Sequence, residues 1–258
     1  METGRIADRG GMNAGIDSIY ETGRVVLADG REVDPFPVAI KRAEGEMLYR
    51  LVRAVKPAAT LEVGMAWGLS AMFICQALEE NRRGGHTAVD PFQAKFHYAG
   101  VENVRRAGLG GRLTFVEELS QTALARMVTE GKRFELVFID GGHLFDLAFV
   151  DFFFADQMVP VGGYVVFDDL WMPAVRKVLR FILRNRGYVI AEEVMGERGA
   201  FVQRHLQNLR YQLKKRVKGR RSLGTGSEMD FHGGRNVNWC VLRKVGEDGR
   251  AWDHYAAF

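Results

Sequence analysis

From about residue 40 to residue 195, short β-type runs alternate with stretches of helical period, and this alternation restricts the chain more than any other feature. Parallel neighbouring strands need a crossover between them, usually a helix. Strand–helix repetition therefore points to a mostly parallel sheet with helices on both faces. Met47, Leu48, Leu51, Val52 and Val55 recur at helical spacing within Ile40 to Val55, and Pro57 ends that helix. Strands are expected at Thr60–Val63, His86–Asp90, Arg112–Val116, Phe134–Asp140 and Gly163–Phe167. Helices are expected at Leu69–Leu78, Ala94–Ala107, Gln121–Val128, Leu144–Met158 and from Pro173 to about Arg186. The run Leu136-Val137-Phe138-Ile139 is apolar on both faces, as a central parallel strand should be. Tyr188–Val194 and Val237–Lys244 read as two further strands. The expected fold is α/β: a Rossmann-like, doubly wound, mostly parallel seven-stranded sheet.

A chain of 258 residues suits one large domain, placed at 40–258, with residues 1–39 as an N-terminal extension and candidate cap. The rhythm breaks at 196–235, where a basic stretch from Arg198 to Arg221 precedes a Gly- and Ser-rich run. An insertion of this length in a compact domain is read as a lid or substrate loop, against the plainer reading of a solvated helix face beside a loop. Composition adds exclusions. With 47% hydrophobic and 26% charged residues the chain is of globular type, and its net charge of +4 is modest. No apolar run approaches the roughly 18 residues of a membrane span. Met1 to Asp17 is polar and Gly-rich, without the apolar core of a secretion signal. Cys75 and Cys240 are isolated, so neither a disulfide framework nor a zinc site follows. The expected setting is cytoplasmic, without a membrane partner; a homo-oligomer is left open.

In an open α/β sheet, ligands bind beyond the carboxyl ends of the strands, where strand order reverses. The expected strands finish in or beside acids there: Asp90 after the second, Glu117-Glu118 after the third, Asp140 after the fourth, Asp168-Asp169 after the fifth. After the first strand come Gly64 and Gly68, with Ser70 placed to cap the following helix. This G-x-x-x-G spacing is neither the dinucleotide fingerprint nor a P-loop. It favours a ligand with an amino-acid end and a nucleoside end over a pyrophosphate. Asp90 is placed to accept hydrogen bonds from two ribose hydroxyls.

The run Leu61-Glu62-Val63-Gly64-Met65-Ala66-Trp67-Gly68-Leu69-Ser70 resembles the first motif of class I S-adenosylmethionine methyltransferases. The resemblance continues through Asp90, Ser120-Gln121, Ile139-Asp140-Gly141-Gly142-His143 and Val166-Phe167-Asp168-Asp169, and covers roughly residues 45 to 195. The order is similar to the metal-dependent O-methyltransferases of the catechol O-methyltransferase type. It is closer to bacterial small-molecule methyltransferases with an I-D-G-x-H signature. The resemblance implies that Gly64, Gly68 and Ser70 line the methionine end of S-adenosylmethionine, with Glu62 supporting that loop. It implies that Asp90 holds the ribose and that Ser120 and Gln121 meet the adenine. Asp140, also counted among the cofactor contacts, would join Asp168 and Asp169 as ligands of a divalent metal, expected to be Mg2+. His143 stands where the catechol type carries a lysine base, and Asp169 where that type carries Asn. Hard cations take carboxylate oxygens and leave positions open for substrate, and a neutral histidine can accept a hydroxyl proton. The activity implied is O-methylation of a small hydroxylated metabolite, with Asp140 and His143 at the reacting centre.

The plain alternatives are turn-forming roles for Asp140 beside Gly141-Gly142, capping roles for Asp168 and Asp169 ahead of Pro173, and an exposed turn for His143. Two rival functions are weighed: an RNA methyltransferase gripping phosphates with segment 198–221, and an inactive relative that binds cofactor only. Nucleic acid is disfavoured, because modifying a base or ribose does not need a three-aspartate metal set. An NAD-dependent oxidoreductase is disfavoured by the glycine spacing.

Overall fold

A computed structural model of the chain describes residues 11–195 and 238–254. Its main sheet has strands β3 (Ala59–Val63), β4 (Gly85–Val89), β5 (Leu113–Val116), β6 (Leu136–Ile139), β7 (Tyr164–Phe167), β8 (Tyr188–Ile190) and β9 (Cys240–Lys244). Their order is β5-β4-β3-β6-β7-β9-β8. The first five run parallel, while β9 lies antiparallel between β7 and β8. From β3 the chain steps outward through β4 to β5, then returns to the other side of β3 with β6. The reversal therefore falls between β3 and β6, and the crevice opens at the ends of those two strands.

The crossover helices are α3 (Leu69–Glu80), α4 (Ala99–Arg106), α5 (Ser120–Thr129), α6 (Phe145–Met158) and α7 (Pro173–Asn185). Helix α2 (Arg42–Val55) precedes the sheet. Its apolar stripe, Met47, Leu48, Leu51 and Val52, is buried, and it turns out of the helix at Lys56 ahead of Pro57. α3 is buried all round from Leu69 to Leu78, which explains why its sequence is apolar without a polar face. α2 covers α3 so closely that a Cβ on Gly45 would lie 2.1 Å from the Phe73 ring. Leu61, Val137, Phe138, Val165 and Val166 fill the sheet interior. Among the described residues, no helix is long and apolar enough to cross a membrane.

The structure departs from the sequence reading in five places. Helix α1 (Ala14–Thr22) and the hairpin β1 (Val25–Val26) and β2 (Glu32–Val33) were not expected. Asn13 caps α1 by accepting from the Gly15 N–H at 2.9 Å, and Ile16 and Ile19 join the common core. The helix expected at 94–107 is broken. A 3-10 turn, Gln93–Phe96, is followed by His97 and Tyr98 at positive φ before α4 begins. The strand expected to reach Val194 stops at Ile190, and a short helix α8 (Glu192–Met195) follows. The last strand begins at Cys240 rather than Val237. The caps are also corrected: Gly68 is the N-cap of α3, and no side chain, Ser70 included, caps that helix. The basic stretch 198–221 and most of the insertion at 196–235 lie outside the described residues.

Gly45→Ala forces a methyl group into the Phe73 ring, and overpacking of this kind costs roughly 1–3 kcal/mol. Urea unfolding is expected to show a lowered midpoint with an unchanged slope; an unchanged midpoint would show that α2 can move away from α3 freely.

Candidate active site

The crevice is built on one close approach. Gly64, at φ +88°, follows β3, and a Cβ there would lie 2.1 Å from the Asp140 carbonyl oxygen after β6. Only glycine allows the loops of the two strands to meet so closely. The Gly64 N–H donates to Val89 O at 2.9 Å, tying the same loop to β4. Gly68 performs a similar service against Gly100 O, which a Cβ would approach to 2.4 Å.

Asp90, buried just after β4, fastens this loop. Its Oδ2 accepts from the Met65 N–H at 3.2 Å, the Ala66 N–H at 2.9 Å and Gln93 Nε2 at 2.8 Å. Its Oδ1 accepts from the Phe92 N–H at 2.8 Å. The residue read as a ribose acceptor thus has a structural duty in the protein alone. Glu62 contrasts with it. Its side chain is fully buried, yet neither carboxylate oxygen meets a hydrogen-bond donor. Beside it stands His86, whose Nε2 lies 3.4 Å from Glu62 Oε1.

At the mouth, Asp140 after β6, His143 in the next turn and Asp169 after β7 converge. One donor atom from each lies within 4.8 Å of the others. His143 Nε2 sits 2.6 Å from Asp169 Oδ2 and 3.6 Å from Asp140 Oδ1. The carboxylates of Asp140 and Asp169 push the imidazole up to about 10, against the effect of burial. Burial pushes the Asp140 carboxyl up to about 7, with His143 opposing. Burial pushes the Asp169 carboxyl up, but His143, Trp171 and Asn238 together outweigh it and hold this carboxyl below its usual range. Asp169 adopts φ +55°, and its Oδ1 accepts from Trp171 Nε1 at 2.6 Å.

Asp168 is set deeper and is not part of that donor group. Its Oδ1 accepts from the Asp169 N–H at 2.8 Å and from Asn238 Nδ2 at 2.9 Å. Burial, then the charges of Asp140 and Glu44, raise it well above the ordinary carboxylate range. Ser120 opens α5 half-buried, with Oγ 3.5 Å from Oε1 of the exposed Gln121. Ser70 is buried in the first turn of α3.

Two residues of this neighbourhood escaped the sequence reading. Glu44 in the first turn of α2 is buried, accepts from the Lys41 N–H at 2.8 Å and adds a carboxylate near Asp168 and Asp169. Its spacing three residues after the helix start was a capping-box signal. Asn238 bridges Asp168 and Asp169, donating to the latter's Oδ1 at 3.3 Å, and nothing local in the sequence marks it.

Because Asp90 satisfies loop donors without any ligand, Asp90→Asn should lower stability by roughly 1–3 kcal/mol in ligand-free protein, since the amide turns a donor toward donors. Chemical denaturation measures this. Unchanged ligand-free stability would reduce Asp90 to a ligand contact.

Residues 61–170 match a family model described as a methyltransferase domain. A caffeoyl-CoA O-methyltransferase of Populus kitakamiensis is 29% identical over 147 residues, 52% of this chain and 56% of that protein. The tapetum-specific methyltransferase 1 of Arabidopsis thaliana is 28% identical over 130 residues, 50% of this chain and 54% of that protein. The chain thus spans about half the length of the curated relatives it matches. Among solved structures, the O-methyltransferase from Bacillus cereus in complex with SAH superposes with a TM-score of 0.58 at 15% identity, covering 72% of this chain and 85% of that one. The SAH-bound methyltransferase of Podospora anserina gives a TM-score of 0.54 at 16% identity, covering 92% and 90%. Residues 61–170 thus resemble a methyltransferase domain, and the fold is shared with these O-methyltransferase structures.

Proposed function

We propose that the protein transfers a methyl group from S-adenosylmethionine to a hydroxyl of a small molecule, with a divalent cation such as Mg2+ at the mouth of the crevice. One observation carries the reading: Asp140, His143 and Asp169 meet at the strand-order reversal, against the glycine loop that would receive the cofactor. The names of the relatives accord with it.

Gly64, Gly68 and Ser70 form the wall for the methionine end of the cofactor. Glu62 offers two unpartnered oxygens behind that wall, a fitting partner for the amino group. Asp90, while fastening the loop, keeps acceptor capacity on Oδ1 for a ribose hydroxyl. Ser120 and Gln121 border the adenine. The donor set suits a hard cation: carboxylates of Asp140 and Asp169, with Asp168 behind them held by Asn238. Such a cation supplies positive charge that acidifies and orients the acceptor hydroxyl. Facing the ring, the Asp140 and Asp169 carboxylates favour its protonated form; with those carboxylates turned to a cation, His143 Nε2 would be free to receive the hydroxyl proton. Trp171 fixes Asp169 from outside. Leu144, Phe145 and Trp171 leave apolar surface exposed beside His143 in the described residues, which suits an acceptor with an apolar body. The layout proposed with it is a transferase unit over 40–258, an extension at 1–39 whose Ile16 and Ile19 pack into the same core, and the insertion at 196–235 as a lid. The two buried free cysteines accord with a reducing compartment such as the cytoplasm.

Turnover with a panel of phenolic and sugar hydroxyls is expected to stop in excess chelator and to return with Mg2+. His143→Ala should lower kcat by roughly 10²–10⁴-fold with little change in cofactor affinity. Full activity in chelator sinks the metal, and wild-type kcat in the variant sinks the base.

A further inference from the structure

Beneath the glycine loop lies a buried chain of three side chains that the transfer chemistry does not use. Thr60 and Glu62 lie two apart on β3, so they share one face of the sheet, and His86 stands beside them on β4. His86 Nδ1 is 2.9 Å from Thr60 Oγ1, and His86 Nε2 is 3.4 Å from Glu62 Oε1. Thr60 Oγ1 can also donate to Gly85 O at 3.3 Å. All three side chains are closed to solvent.

The proton on Nε2 follows from this geometry. If the Thr60 hydroxyl donates to Gly85 O at 3.3 Å, it accepts from His86 Nδ1–H and leaves a bare Nε2 facing the carboxylate, an unfavourable pair. If the hydroxyl donates to Nδ1 instead, the remaining ring proton is on Nε2. The second arrangement, over the shorter contact of 2.9 Å, is the favoured one and turns Nε2–H toward Glu62. The contact is nevertheless too loose to count as a hydrogen bond, and both Glu62 oxygens stay without a donor. A buried carboxylate lacking donors is costly in the folded protein, and a donor brought by a ligand would relieve that cost.

We propose that His86 is a positioning residue: through Nε2–H it holds the Glu62 carboxylate as a buried acceptor reserved for the ammonium group of the cofactor's amino-acid end. The inference rests on the cofactor reading above and adds how the amine is selected. Removal of the Nε2 donor lets the Glu62 carboxylate swing, and selection for the amine falls.

Calorimetry with two compounds tests this: S-adenosylhomocysteine and its analogue with hydrogen in place of the α-amino group. The wild type should prefer the amine by about tenfold or more, the scale of one charged hydrogen bond. His86→Gln keeps a donor near the Nε2 position and should retain that preference. His86→Asn offers a donor only near Nδ1 and should lose most of it, with affinity for the analogue little changed. Thr60→Val keeps the ring but removes its anchor; it should lower the preference partially and serves where the His86 variants do not fold. A wild type that binds neither compound overturns the cofactor reading itself. A wild type that prefers the amine, with Asn and Gln variants (or Thr60→Val) of undiminished preference, overturns the role of His86 alone.

Discussion

The crevice depends on how closely the chain after β3 passes the chain after β6. Gly64 runs so near the Asp140 carbonyl that no side chain fits between them. This contact brings two chemically different halves together. On one side are the loop amides and Asp90, which suit a nucleoside ligand; on the other are the acids at the ends of β6 and β7. Parallel neighbours need a connection over the sheet face, so the strand order leaves a gap above β3 and β6 that no crossover covers. Topology supplies the cleft, and the glycine decides how narrow it is.

Burial treats the carboxylates of this region in three ways. Asp90 has four donors and is settled by the protein itself. Asp140 and Asp169 share one imidazole, so their charges are only partly matched. Glu62 has no hydrogen-bond donor at all. A buried polar group without a partner works against folding, and proteins keep few such groups. The gradient from settled to unsettled acids therefore runs from the framework of the site toward the places where ligands complete it. Buried acids alone would not distinguish a framework from a binding surface; their donors do.

Much of the fold was legible because period and punctuation agree in it. The all-apolar run Leu136 to Ile139, the stripe of α2 and the Pro at the start of α7 each point to one structure only. The misread places have physical reasons. In 94–107 the apolar spacing continues across His97 and Tyr98, two residues in the left-handed region that no glycine announces. After Ile190 the sequence Ala191-Glu192-Glu193-Val194-Met195 favours helix, and the backbone turns helical once β8 has paired with β9 over three positions. At the site, the acids that end strands were visible because strand ends can be placed from the pattern. Glu44 and Asn238 were not, since their position beside Asp168 is a matter of tertiary packing.

Those two residues also separate what the matched segment contains from what surrounds it. Residues 61–170 hold Asp140, His143, Asp168 and Asp169, so the candidate donor group lies within the matched segment. Glu44 comes from α2 before the segment, and Asn238 from the chain after it. Asn238 donates to both Asp168 and Asp169, and its backbone carbonyl accepts from the Leu170 N–H at 2.8 Å. It thereby fixes the turn that holds Asp169 at positive φ, a conformation stable only where its surroundings enforce it. The position of the outermost acid is thus set by a residue far away in sequence, next to the end of the basic insertion.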